Sequence, residues 1–110
     1  MSSSEMSCCS GGHDSPRGAA AATGVVSQSQ QKFQDFMKSA NAPGALDART
    51  KKAMAIALSV LSKCEPCVKI HIGKAREMGF SQEEIDEAAW MAIAFGGGPT
   101  MMFYNAVKRA

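Results

Sequence analysis

Apolar residues recur along this chain at helical spacing from about residue 28 onward, and the gaps between the runs divide it into five helices. From about Gln28 to Ala40, Phe33, Phe36 and Met37 lie three and four apart on one face, and Asn41-Ala42-Pro43-Gly44 ends that helix. The second begins near Leu46 or Asp47 and runs to Ser62. Its second half, from Ala53 to Leu61, is apolar nearly all round, which predicts a central, buried helix. The third starts at Cys64-Glu65-Pro66-Cys67, where Pro66 suits a first turn. It carries Val68, Ile70, Ile72, Ala75 and Met78 before Gly79 stops it. Ser81 followed by Glu84 is a capping-box signature, so the fourth helix begins at about Gln82. Its stripe is Ile85, Ala88, Ala89, Ala92 and Ile93, with Trp90, Met91 and Phe95 on other faces. Gly96-Gly97-Gly98-Pro99 then breaks it and opens a last helix, Pro99 to about Lys108. No strand pattern and no internal repeat is visible. The fold class is all-α.

The first 27 residues look different. They are dominated by Ser, Gly, Ala and Gln, with almost no large apolar side chain, and such a segment buries too little to offset its conformational entropy. The reading is therefore a flexible low-complexity tail over 1–27 and one helical domain over 28–110. A folding unit of roughly 80 residues is small for a self-sufficient core. Two helices with more than one apolar face then predict subunit interfaces, a tightly packed monomer being the alternative. The net charge of +2 and the scattered basic residues argue against a nucleic-acid partner. The longest apolar run, Ala53 to Leu61, is about half a membrane span, and no cationic start with an apolar segment marks a secretory signal. A cytoplasmic protein is expected, with neither membrane nor nucleic acid as partner. In that reducing compartment a Cys-x-x-Cys pair is catalytic or metal-binding rather than a structural staple.

The pair itself is the main chemical signal. Cys64 and Cys67 are three apart, and His71 lies one helical turn beyond Cys67, so all three share a helix face. A thiol reacts as its thiolate, and the start of a helix stabilises an anion, which favours Cys64 as the more acidic sulfur. His71 is placed to accept a proton from Cys67 or, once charged, to stabilise its thiolate. Lys63 and Lys69 add positive potential, partly offset by Glu65. Two bland readings stand beside the redox one. A structural zinc site would use Cys64, Cys67 and His71 but needs a fourth ligand. Inert buried thiols with an ordinary core histidine need no chemistry at all.

From Asp47 to Ala110 the chain resembles the carboxymuconolactone decarboxylase and alkylhydroperoxidase-D family. The resemblance rests on Asp47-Ala48-Arg49-Thr50-Lys51, Ala57-Leu58-Ser59-Val60, and Cys64-Glu65-Pro66-Cys67-Val68-Lys69-Ile70-His71. It continues through Ala75, Gly79-Phe80-Ser81, Glu84-Ile85-Asp86-Glu87-Ala88 and Gly96-Gly97. It implies an alkylhydroperoxidase-D-like helical fold assembled as a homo-oligomer, trimer or hexamer. It also implies a hydroperoxide reductase in which Cys67 attacks the peroxide and becomes a sulfenic acid. Cys64, nearer the surface, would close the disulfide and exchange with a dithiol reductant, lipoyl or thioredoxin-like, with His71 in the proton relay. On the nucleophile the resemblance and the helix-start argument disagree. No metal and no organic cofactor is implied.

One position departs from the pattern. The peroxidase branch has a glutamate twelve residues before the first cysteine, as the base of the relay; here that residue is Lys52. A charged lysine accepts no proton, though it would favour a thiolate if close, and twelve helical residues span about 18 Å, so closeness depends on packing. Alternatively Lys52 is a solvated surface residue. The departure predicts weak peroxidase turnover that Lys52→Glu would raise, and leaves a disulfide oxidoreductase or redox sensor, a metal-binding module and a carboxymuconolactone-type decarboxylase as rivals. The decarboxylase does not depend on a cysteine pair. Glu83, Glu84, Asp86 and Glu87 sit at a helix start that accounts for them, Glu87 being the best catalytic candidate among them. Cys8-Cys9 with His13 is a possible metal or electron-shuttling motif, read otherwise as inconsequential tail. Met91, Met101 and Met102 fill core gaps or line an apolar pocket, and Trp90 is a packing residue.

Overall fold

The computed structural model describes residues 24–108, which divide between two units, Met1–Ala42 and Pro43–Ala110. Among the described residues there are five helices and no strand. The Cys8-Cys9 motif, His13 and most of the tail lie outside them.

Helix α1, Val25–Asn41, is the helix described in the first unit. It starts three residues before the Gln28 expected from its apolar spacing, since Val25, Val26 and Ser27 carry it on without a break in helical backbone. Its end is local. Asn41 Nδ2 donates to Met37 O at 2.8 Å, and Ala42 is extended, as a residue before proline prefers. The Phe33 and Phe36 rings lie 6.2 Å apart, and no residue of this helix is buried.

The second unit holds α2 (Ala48–Leu61), α3 (Glu65–Glu77), α4 (Gln82–Gly96) and α5 (Gly98–Val107). Each start has a chemical reason. Asp47 caps α2 by accepting the Thr50 N–H, and Ser81 and Glu84 complete the expected capping box at α4. Two helices end in the same way. After α2, Lys63 N–H donates to Val60 O and Cys64 N–H to Ser59 O; after α3, Gly79 donates to Arg76 O and Phe80 to Ala75 O. Both are Schellman turns, with the left-handed residue Lys63 at φ 56° in one and Gly79 at φ 93° in the other. The three-residue link Ser62-Lys63-Cys64 folds α3 back against α2. Gly97 alone joins α4 to α5, because Gly96 and Gly98 are both helical. A Cβ at Gly96 would run into the Thr100 side chain and press on Leu61, so glycine is required where these helices meet.

The core draws on all four helices: Ile56 and Val60 from α2, Val68, Ile72 and Ala75 from α3, Ile85, Ala89, Ala92 and Ile93 from α4, and Tyr104 and Val107 from α5. Phe80 closes it between α3 and α4. The Tyr104 hydroxyl donates to Asp86 Oδ1 at 2.6 Å, and Lys108 Nζ and Gln82 Nε2 donate to the same oxygen. Burial and this carboxylate together push the Tyr104 phenol well above its ordinary pKa. Burial opposes ionisation of Asp86, but the three donors outweigh it and hold its carboxyl below the usual range.

Two expectations change. The α2 helix is central but not buried all round, because Leu58 is 61% exposed and Met54 and Leu61 also face outward. Trp90 is not interior packing either: it is about half exposed, and Met91, Phe95 and Met102 are exposed as well.

Candidate functional site

The turn after α2 delivers the cysteine pair. Cys64 is the last residue of that Schellman turn and at the same time the N-cap of α3, so one backbone motif fixes its position. Its carbonyl accepts the first helical bond, from Val68 N–H at 3.0 Å. Pro66 supplies a preset φ in the first turn and removes a donor that the helix start would leave unused. Cys67 follows within that turn. The two cysteines form a disulfide with their Cα atoms 5.2 Å apart, an ordinary separation for the bond. Both are half-buried, so the sulfurs are reachable without being loose on the surface.

His71 lies one turn further along α3, half-buried, and helical side chains lean toward the N-terminus, over the turn that carries Cys67. The antiparallel packing of α2 brings Lys52 to it. Lys52 Nζ is 3.1 Å from His71 Nδ1, across nineteen positions of sequence. Lys52 is therefore a member of the site and not a solvated bystander. The other nearby charges are engaged with neighbours: Lys69 pairs with Glu65 at 3.1 Å, and Lys63 Nζ donates to the buried Thr100 Oγ1 at 3.4 Å. The offset expected between Glu65 and the lysines is thus a direct ion pair with Lys69.

The acidic candidates on α4 lie elsewhere. Glu84 belongs to the capping box and to Arg49, whose guanidinium also donates to Met78 O and stacks 4.2 Å above the Phe80 ring. Asp86 is held by Tyr104 and Lys108. Glu87 borders an open groove of about 390 Å³ with Arg49, Phe80 and Met91. The methionines part company: Met91 borders this groove, Met101 packs against the core and Met102 is exposed. Among the described residues no group of three or more His, Cys, Asp or Glu is arranged to hold a metal ion. Among the described residues, no helix is long and apolar enough to cross a membrane.

The profile of the carboxymuconolactone decarboxylase family matches residues 27–109. The chain belongs to that family. The match reaches all five helices, taking in all of α1 but its first two residues, although α1 lies before the Asp47 from which the motif resemblance runs. An uncharacterized protein of Cupriavidus necator is 34% identical over 84 residues, covering 73% of this chain and 74% of its own. The uncharacterized protein 4 of the cox locus in Paracoccus denitrificans is 36% identical over 91 residues, covering 79% and 82%. No solved structure matches. Family membership and a bonded Cys64–Cys67 pair together fit a thiol redox role.

Proposed function

We propose that this protein is a thiol-dependent oxidoreductase that reduces hydroperoxides through the Cys64–Cys67 couple. The observation that carries the reading is the disulfide at the first turn of α3 with His71 one turn on. In the oxidative half, the Cys67 thiolate attacks the terminal peroxide oxygen; an S–O bond forms, the O–O bond breaks, and the alkoxide leaves as alcohol after taking a proton. Cys64 then displaces the sulfenic oxygen as water, closing the disulfide. In the reductive half, a dithiol of the lipoyl or thioredoxin-like class reopens it by two exchanges and leaves as its own disulfide. One peroxide is reduced for each dithiol oxidised. The assignment of Cys67 to attack and Cys64 to resolution follows the family resemblance.

A second reading, disulfide exchange or redox sensing without useful peroxide turnover, is favoured by Lys52. The residue beside His71 is a cation, where the peroxidase relay wants a base. The exposed Leu58, Trp90, Phe95 and Met102 support a homo-oligomer, trimer or hexamer, as the setting for either activity. The deciding experiment is peroxide consumption by the reduced protein with a lipoyl dithiol in excess. Turnover abolished by Cys67→Ser establishes the peroxidase. Negligible turnover with reversible formation of the Cys64–Cys67 disulfide moves the function to exchange or sensing.

A further inference from the structure

Lys52 Nζ and His71 Nδ1 are at hydrogen-bonding distance, and a charged lysine carries donors only. An imidazole Nδ1 can accept where an ammonium can only donate, so the proton in this contact is the lysine's. Nδ1 then accepts, and the single proton of the neutral ring sits on Nε2. The ring's other nitrogen is a donor. A histidine in this form offers a thiol no site for its proton, but it offers a thiolate a hydrogen bond, strengthened by the cation behind it.

We propose that Lys52 is a positioning residue that locks His71 in the Nε2–H form, so that the imidazole donates to the Cys67 thiolate released when the disulfide opens. The proposal rests on reading Cys64–Cys67 as the reacting pair, but not on the peroxide being its oxidant. In the step concerned, a thiolate of the dithiol attacks Cys64 Sγ, the new S–S bond forms, and the Cys64–Cys67 bond breaks with its electron pair passing to Cys67. A stabilised leaving thiolate departs faster. The second thiolate of the dithiol then releases Cys64, and the protein ends reduced by two electrons. The consequence is a division of labour within the cycle. Lys52 with His71 assists the opening of the disulfide, whereas thiol deprotonation before peroxide attack receives no base from this pair. Glutamate in the same place would reverse both effects, since a carboxylate draws the proton to Nδ1 and leaves Nε2 as the acceptor.

The test separates this from the peroxidase reading. Histidine occurs at only two positions, so a His13→Gln background leaves His71 as the sole imidazole for long-range proton–nitrogen NMR of the full chain. At pH 8 the oxidised protein is expected to show a bare Nδ1 and a protonated Nε2. Lys52→Met should mix the tautomers, Lys52→Arg should keep the original one, and Lys52→Glu should invert it. In parallel, the rate at which a lipoyl dithiol reduces the disulfide should fall about tenfold in Lys52→Met and recover in Lys52→Arg. A protonated Nδ1 in the parent protein, or a tautomer and reduction rate unchanged in folded Lys52→Met, overturns the proposal. Should Lys52→Met fail to fold, Lys52→Glu and Lys52→Arg decide it by their opposite tautomers. Absence of peroxide turnover in the parent, with the tautomer as stated, removes the peroxidase reading and leaves this one standing.

Discussion

The two turns that bound α3 share a hydrogen-bond pattern and differ in what hangs on it. At the far end, Gly79 occupies the left-handed position, and the residue after it, Phe80, is buried under the Arg49 guanidinium. At the near end, the left-handed residue is Lys63, and the residue after it, Cys64, is half-exposed and bonded to Cys67. A side chain in that backbone region costs on the order of 1 kcal/mol, which glycine avoids. One turn is built to close the core, while the other holds a disulfide sulfur at a helix start and tolerates a less favourable residue. The same local device thus serves packing at one end of a helix and the candidate site at the other.

Substitutions should pull the two ends apart. The largest effect is expected from Cys64→Ser, which abolishes redox cycling completely in a dithiol-coupled assay. Its stability cost should not exceed about 2 kcal/mol in chemical denaturation, because the lost bridge closes only a short loop. Phe80→Ala should do the reverse. It should cost about 3 kcal/mol of stability by urea titration, through a cavity under Arg49, while the isolated rate of disulfide reduction stays within twofold of the parent. Lys52→Glu should speed thiol oxidation by peroxide about tenfold while slowing disulfide reduction, which stopped-flow measurement of each half would resolve.

Smaller effects follow from titration at the closed end. The Ser81 N–H bond and then Arg49 hold the Glu84 carboxyl below its ordinary value, and the Thr50 N–H does the same for Asp47. A folded pKa below the unfolded one gives stabilisation that is present above about pH 4 and lost as pH falls through the folded value. Both groups are exposed, so the urea midpoint should fall only slightly from these two between pH 6 and 3, with Glu84→Gln flattening the trend. Tyr104 has the opposite sign: its raised pKa gives stability that is full below about pH 10 and lost above it. The smallest change is Lys63→Gly. It should raise stability by up to about 1 kcal/mol from the relieved backbone, less the Thr100 hydrogen bond, and the thermal midpoint would measure it.

Much of this architecture was legible from neighbouring residues alone. The Asp47 cap, the Ser81–Glu84 box, the Gly79 stop and the first-turn Pro66 are interactions within three or four positions, so sequence carries them directly. The cysteine spacing and the place of His71 one turn on are equally local, since helix periodicity alone puts them on one face. Which face of a helix meets a partner is not local in this way. Apolar residues all round α2 did not reveal that Leu58 stays exposed, and Trp90 gave no sign that it faces out. Composition records how much apolar surface exists but not which neighbour covers it.

Sequence by itself determined the helices, most of their ends and the Cys-x-x-Cys motif, because hydrogen-bonded turns and capping side chains act over a few residues. Only the tertiary structure decided that Lys52 meets His71, that Arg49 stacks on Phe80 and that Asp86 receives Tyr104. Those pairs are 19, 31 and 18 positions apart (71 − 52, 80 − 49 and 104 − 86) and are brought together by how whole helices pack. Their register depends on the summed fit of many buried side chains, which no short stretch of sequence encodes.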